Sequence, residues 1–338
     1  MQAAVLVGKE HLEIQDVLPA TPGEDEVTIE VRSSGVCGTD VHIYRGAEGS
    51  TDAVFPLIMG HEFSGVVSVV GSKVKDILPG DKAIVNPNIM CGYCNPCRSG
   101  HNAFCENHIA VGVNRPGGFA EKITVPKLAV HTFVKSDFDT AAMIEPLSCC
   151  LNVFETMPHS LGDSYLIVGG GPIGMMMLQL ARLAGARFLA VAELVAAKRE
   201  KCLRLGADVA FDSRGVPASM AARHHGIKQF DMVIDCVGLP LTQSYSLEAA
   251  GRGSRVMFFG LGGAKDILEV KPYTLFNRQV PVYSSFINPY TFTRTVEIVE
   301  SGRVNLSDIV GAHIGFQDLA AVLEDDTTRS EGKVILKL

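Results

Sequence analysis

The chain has 338 residues, of which 47% are hydrophobic and 20% charged; this is ordinary globular usage and excludes a disordered or low-complexity polymer. A net charge of −7, with Lys and Arg scattered, leaves no basic footprint for nucleic acid or an anionic membrane. The first residues lack the basic flank and apolar length of a secretory signal, and the most apolar window, 166–181, is broken by glycines, a proline and a glutamine, so a membrane span is disfavoured and a cytoplasmic location is expected.

The length exceeds that at which a single core stops growing and predicts two domains. Residues 1–149 read as β-rich: alternating or β-branched runs such as 27–31 and 65–70 are separated by Gly and Pro. From 150 to 285 the rhythm changes to apolar strands at 165–168, 188–192, 209–211, 232–236, 256–259 and 281–285, with helical stretches at 175–184 and 196–205 that stop at Gly185 and Gly206. Strands alternating with helices predict an α/β, doubly wound parallel six-stranded sheet. The tail, 286–338, holds an amphipathic stretch at 292–301 and a strand-like run at 333–338, and is expected to return to the first domain.

The most specific local signal is Cys91-x-x-Cys94-x-x-Cys97 followed by Cys105, in a loop rich in Gly, Asn and Pro. Four thiolates make a closed tetrahedral zinc site with no open position, whose role is to order a loop too poor in apolar residues to order itself. A redox Cys-x-x-Cys is the alternative. Upstream lie Cys37-Gly38-Thr39-Asp40-Val41-His42 and Gly60-His61-Glu62, and downstream Ile144-Glu145-Pro146-Leu147, which together offer thiol, imidazole and carboxylate ligands. Singly each is weak, since a lone Cys is usually a small buried apolar residue.

The strand at 165–168 runs into Gly169-Gly170-Gly171-Pro172-Ile173-Gly174 and then a helix, the context a dinucleotide-binding glycine motif requires. Gly169 permits the tight turn, Gly171 the approach of a pyrophosphate to the helix N-terminus, and Gly174 close packing of helix on strands. Glu193 ends the next strand, where a carboxylate would accept the ribose hydroxyls and repel a 2′-phosphate, so NAD is favoured. Lys198 and Arg199 follow on the next helix and are the residues that could instead favour NADP.

Taken in order, these motifs resemble the zinc-dependent medium-chain alcohol dehydrogenases, over essentially the entire chain. Glu145 places the resemblance in the sorbitol, threonine and sugar-acid dehydrogenase branch, where a glutamate replaces a second cysteine ligand. The resemblance implies a GroES-like catalytic domain (1–149 and 286–338) and a Rossmann domain (150–285). It implies two zinc ions per chain and NAD, with Cys37, His61 and Glu62 on the catalytic zinc and Glu145 binding it directly or through water. It further implies a proton relay from Thr39 through the cofactor ribose to His42, and a nicotinamide half lined by Val237, Gly238 and Leu261, which fall at strand ends. A bland capping or surface role remains open for His42.

The expected reaction is hydride transfer from a secondary alcohol of a polyol or sugar acid to NAD. Metal chemistry makes it accessible: lowering an alcohol pKa from ~16 to about 7 is worth roughly 12 kcal/mol. Tyr44, Arg45, Arg115 and Phe119 are candidate substrate contacts, either arginine being able to read an anion. Threonine oxidation, and a non-enzymatic zinc- and NAD-binding sensor, stand as alternatives. Relatives with this pattern are commonly dimers or tetramers, so a homo-oligomer is expected.

Overall fold

The computed structural model describes residues 1–46, 54–223 and 225–338. These divide into two compact units, residues 1–148 with 287–338, and residues 149–286. Among the described residues no helix is long and apolar enough to cross a membrane.

The first unit is organised by one long strand, Glu26–Val36, in which Val27, Ile29 and Val31 are buried. It pairs antiparallel with Glu62–Val70, Lys122–Pro126 and Lys333–Lys337. Lys333–Lys337 also runs parallel to Val310–Ile314. Two apolar clusters stabilise this sheet, one around Val27, Ile29, Phe63 and Val125, the other around Leu6, Tyr44, Met59, Phe119 and Leu336. Each such side chain, fully buried, contributes roughly 1.5–3 kcal/mol.

This unit is less purely β than its composition implies. Helices form at Gly38–Tyr44 and Phe138–Ala142, and a third, Ile144–Thr156, has its first five residues in this unit. The first starts at a cysteine cap rather than a Ser, Thr, Asp or Asn, and the third is apolar on most of its faces, so neither carries the usual signals. The amphipathic stretch near the tail forms Phe292–Glu300, burying Phe292, Thr295, Val296 and Val299 on one face.

In the second unit all six expected strands form one parallel sheet, in the spatial order Val209–Phe211, Phe188–Ala192, Ser164–Val168, Phe230–Asp235, Ala250–Phe258, Val282–Ser284. Ser164–Val168 and Phe188–Ala192 are buried at every position, as strands covered on both faces must be. The order reverses between Ser164–Val168 and Phe230–Asp235, the switch point at which open α/β sheets take ligands. The following helix, Pro172–Leu183, starts three residues before its apolar run because Pro172 occupies a first-turn position that needs no N–H partner.

Candidate metal and nucleotide sites

The end of Glu26–Val36 delivers Cys37 to the cap of helix Gly38–Tyr44. The Cys37 backbone N–H donates to Asp40 Oδ2 at 2.9 Å, closing the turn. The other carboxylate oxygen, Oδ1, lies 3.3 Å from Nδ1 of His61. Asp40 thus orients the imidazole and leaves Nε2 for another partner, the arrangement that metal-ligating histidines use. His61 follows Gly60, whose positive φ of 90° puts it in the left-handed region, and the ring of buried Phe119 fills the space a Cβ on Gly60 would need.

Glu62 opens the strand Glu62–Val70, opposite Gly35. Ligating atoms of Cys37, His61 and Glu62 all lie within 4.8 Å of one another. Glu62 is fully buried; its Oε2 pairs with the ammonium of buried Lys333, and its Oε1 has no hydrogen-bond partner. Burial alone would make His61 less basic, but Asp40 and the Cys37 sulfur outweigh it and raise its pKa well above the ordinary value. Burial likewise disfavours a charged Lys333, and Glu62, Cys37 and Asp40 reverse that effect. One thiol, one imidazole and two carboxylates against one ammonium, with a buried carboxylate oxygen left over, is a donor set that suits a divalent cation.

Of the other residues expected here, Thr39 and His42 lie three apart on helix Gly38–Tyr44 and are half-buried, so they share a flank. Glu145 is buried in the first turn of Ile144–Thr156 and is not one of the three ligands gathered within 4.8 Å. Asp40 and Lys333 had no role in the sequence reading. A carboxylate three residues after a candidate ligand was the available signal for Asp40, whereas Lys333 sits in an ordinary strand run and nothing local marks it.

The expected substrate contacts find other partners. Tyr44 is buried, its hydroxyl donating to Glu324 Oε1 at 2.8 Å and to the Glu10 carbonyl at 3.2 Å. Arg45 donates to the Glu324 carbonyl at 3.0 Å. Arg115 forms an ion pair of 2.6 Å with Glu26 and also reaches the Thr124 carbonyl. Phe119 belongs to the core.

Cys91, Cys94, Cys97 and Cys105 gather their sulfurs within 4.8 Å of one another, and all four are free of disulfides. Backbone N–H groups point at the sulfurs, from Cys91 to Cys105 at 3.3 Å and from Cys94 to Cys91 at 3.4 Å. Burial pushes the Cys91 thiol up, yet N–H donors from Tyr93 and Cys94 and the Asn107 amide bring it down to about 6. Cys97 is pushed up to about 12 by burial and by the neighbouring sulfurs. Four thiolates at this spacing cannot coexist without a cation, and a closed zinc site is the fit.

In the second unit Gly169 turns with φ 99° and Gly171 caps helix Pro172–Leu183. A Cβ on Gly174 would collide with the Gly169 carbonyl, whereas one on Gly171 would meet open space at the helix N-terminus. Close packing at Gly174 and an open approach at Gly171 are what an entering pyrophosphate needs, with Pro172 and Ile173 forming the first helical turn. Both oxygens of Glu193 are held by backbone donors, Gly170 N–H at 2.7 Å and Val195 N–H at 2.8 Å. Arg199 is occupied by the carbonyls of Glu193 and Leu194, and Lys198 is half-buried on the same helix. At the ends of the next strands buried Asp235 accepts the Gly238 N–H at 2.9 Å, fixing a turn in which Gly238, at φ 91°, approaches Gly260 and Leu261 too closely for any side chain. Val237 and Leu261 stay exposed beside it.

Comparison with known proteins agrees with both units. Residues 23–135 match the alcohol dehydrogenase GroES-like domain, and residues 172–301 the zinc-binding dehydrogenase domain. An L-threonine 3-dehydrogenase of Anaeromyxobacter sp. is 33% identical over 73% of this chain and 73% of its own. D-arabinitol dehydrogenase 1 of Uromyces fabae is 28% identical over 93% and 90%. The crystal structure of a zinc-binding dehydrogenase from Sinorhizobium meliloti 1021 bound to NADP is 31% identical, with a TM-score of 0.94 over 100% of this chain and 99% of that one. With both domains matched and likeness running from end to end, the chain belongs to the zinc-dependent medium-chain alcohol dehydrogenase family and is a nicotinamide-linked zinc dehydrogenase.

Proposed function

We propose that this enzyme oxidises a secondary alcohol of a polyol or sugar-derived substrate to the ketone, with NAD as hydride acceptor. The observation that carries the reading is the cluster of half-buried Cys37 with buried His61 and Glu62, with Asp40 behind the imidazole and a carboxylate oxygen unpartnered. Zinc held there supplies a Lewis acid that makes an alcohol acidic near neutral pH. Glu145 is the further carboxylate available to the metal, directly or through water. Thr39 would take the proton released by the substrate, its hydroxyl able to accept and donate, and pass it through the ribose of bound NAD to His42 and solvent. On this reading the first unit is the catalytic domain and the second the NAD-binding domain.

Engagement of Arg45 and Arg115 by Glu324 and Glu26 removes the two side chains best suited to reading a substrate carboxylate, which favours a neutral polyol over an aldonate. Glu193 favours NAD, because a carboxylate pinned by two N–H groups cannot swing away from a 2′-phosphate. The test is NADH formation with a panel of polyols, aldonates and threonine, each with NAD and NADP. Turnover of threonine and of no polyol would establish the threonine 3-dehydrogenase reading that one group of relatives favours.

A homo-oligomer is part of the proposal. Val282–Ser284 forms an outer edge of the parallel sheet, Val282 is 41% exposed, and Tyr273 and Phe276 on the preceding helix are more exposed still. An apolar edge of this kind invites a second copy of the chain. Light scattering of the wild type and of Val282→Lys tests it: a monomeric wild type defeats the idea. The reduced thiols that two zinc sites need fit a cytoplasmic setting.

A further inference from the structure

Lys333 is buried among the candidate metal ligands without being one. Its position follows from the sheet: Glu26–Val36 has Glu62–Val70 on one side, with Gly35 opposite Glu62, and Lys333–Lys337 on the other, with Val36 opposite Val334. A side chain at Gly35 would run into both the Glu62 carboxylate and the Lys333 stem. Because Gly35 has none, side chains from the two flanking strands meet across the strand between them. The ammonium reaches Glu62 Oε2, and the two side chains are only 7% and 0% exposed. Oε1 is left buried without a hydrogen bond.

We propose that Lys333 is a positioning residue for the metal centre: it holds one oxygen of Glu62, so that this carboxylate offers only the other and stays a weak, exchangeable ligand beside Cys37 and His61. This rests on the reading that those residues bind zinc. The physical reason is charge. One thiolate and one fully committed carboxylate neutralise a dication and blunt its pull on a substrate oxygen, whereas a carboxylate shared with an ammonium gives up less of its charge to the metal. The choice of lysine matters as well. An ammonium is a point charge that takes one oxygen, while a guanidinium fork takes both.

These properties give two variants opposite effects. Lys333→Met keeps the stem and frees Glu62, so release of the zinc outside the four-cysteine cluster to a chromogenic chelator should slow about tenfold. In the cobalt-substituted protein the thiolate-to-metal absorption should shift as the carboxylate commits. Lys333→Arg should withdraw both oxygens and speed release by roughly threefold or more. Both effects should disappear in a Glu62→Gln background. If Lys333→Met does not fold, the pair Lys333→Met with Glu62→Gln, which removes both buried charges together, and Lys333→Arg alone still decide. Release unchanged in both variants, or faster in both, reduces Lys333 to a packing role and overturns the proposal. A wild type holding only one zinc per chain by elemental analysis overturns instead the metal reading on which it rests.

Discussion

Cys91, Cys94, Cys97 and Cys105 come from one short loop, with backbone N–H groups of the same loop aimed at their sulfurs. Cys37, His61 and Glu62 come from the end of one strand and the start of another, and depend on Asp40 in a helix and Lys333 near the end of the chain. The first cluster is uniform, all sulfur, and closed. The second is mixed, with a carboxylate oxygen unpaired and a counter-ion held against it. A local, saturated site orders its own loop; a non-local, unsaturated one borrows rigidity from a folded sheet and keeps capacity for a ligand that comes and goes.

The sharpest way to break this contrast is to remove one thiol from each site. Cys37→Ser should lower kcat by at least about a thousandfold and leave NADH binding, followed by nicotinamide fluorescence, within about twofold of wild type. Melting should barely change, because the sheet holds the site whether or not the metal does. Cys105→Ser should do the reverse. Loss of the metal-held fold of the loop should lower the melting temperature by several degrees, about 5 °C or more, and open 91–105 to limited proteolysis, with residual activity tracking the folded fraction. Equal losses of activity and stability in both variants would abolish the distinction.

The same contrast explains what could be read from the chain alone. The four-cysteine loop and the strand–glycine turn–helix at 164–183 are contiguous, so their spacing carries nearly all of their chemistry, and the six parallel strands were marked by continuous apolar runs. Cys37, His61 and Glu62 were recognisable as types and through family resemblance, but the register that brings Lys333 across Gly35 is a property of three paired strands and leaves no local mark. Arg45 and Arg115 show the reverse: proximity in sequence suggests a binding role, and each meets an intramolecular partner that lies 279 or 89 residues away, which no local pattern marks. Helix Gly38–Tyr44 was hidden by its cysteine cap.

Glu193 belongs with the local sites, and its replacement should have a smaller effect. Its carboxylate is fixed by N–H donors from Gly170 and Val195, so Glu193→Gln removes the charge and keeps an acceptor for only one of the two N–H groups. The KM for NAD should rise several-fold, and the preference for NAD over NADP should relax by about tenfold, roughly 1.4 kcal/mol, with kcat little changed. An unaltered ratio of kcat/KM for the two cofactors would show that the carboxylate does not read the ribose.

The smallest effect tests how far the mixed site's scaffold extends. Glu300, at the end of helix Phe292–Glu300, accepts the backbone N–H groups of Val134, Lys135 and Ser136 and the Ser136 hydroxyl, at 2.6–2.9 Å. That loop leads into helix Phe138–Ala142 and then Glu145. Burial would raise the Glu300 pKa, but the hydrogen bonds from Lys135, Ser136 and Val134 outweigh it and bring it to about 2, below an ordinary value of 4.5. A carboxyl with a depressed folded-state pKa adds stability that is complete above its unfolded value and fades as pH falls toward the folded one. Because Glu300 is only partly shielded from solvent, its contribution should be about 1 kcal/mol after screening. Glu300→Gln should therefore lower the urea midpoint at pH 7, and the gap to wild type should narrow steadily between pH 4.5 and pH 2. Zinc bound by the four cysteines should be unaffected at neutral pH, since that loop holds its own ligands. A gap that stays constant down to pH 3 would mean that the clamp works through shape rather than charge, and would leave the link between this tail helix and the loop before Glu145 without its electrostatic basis.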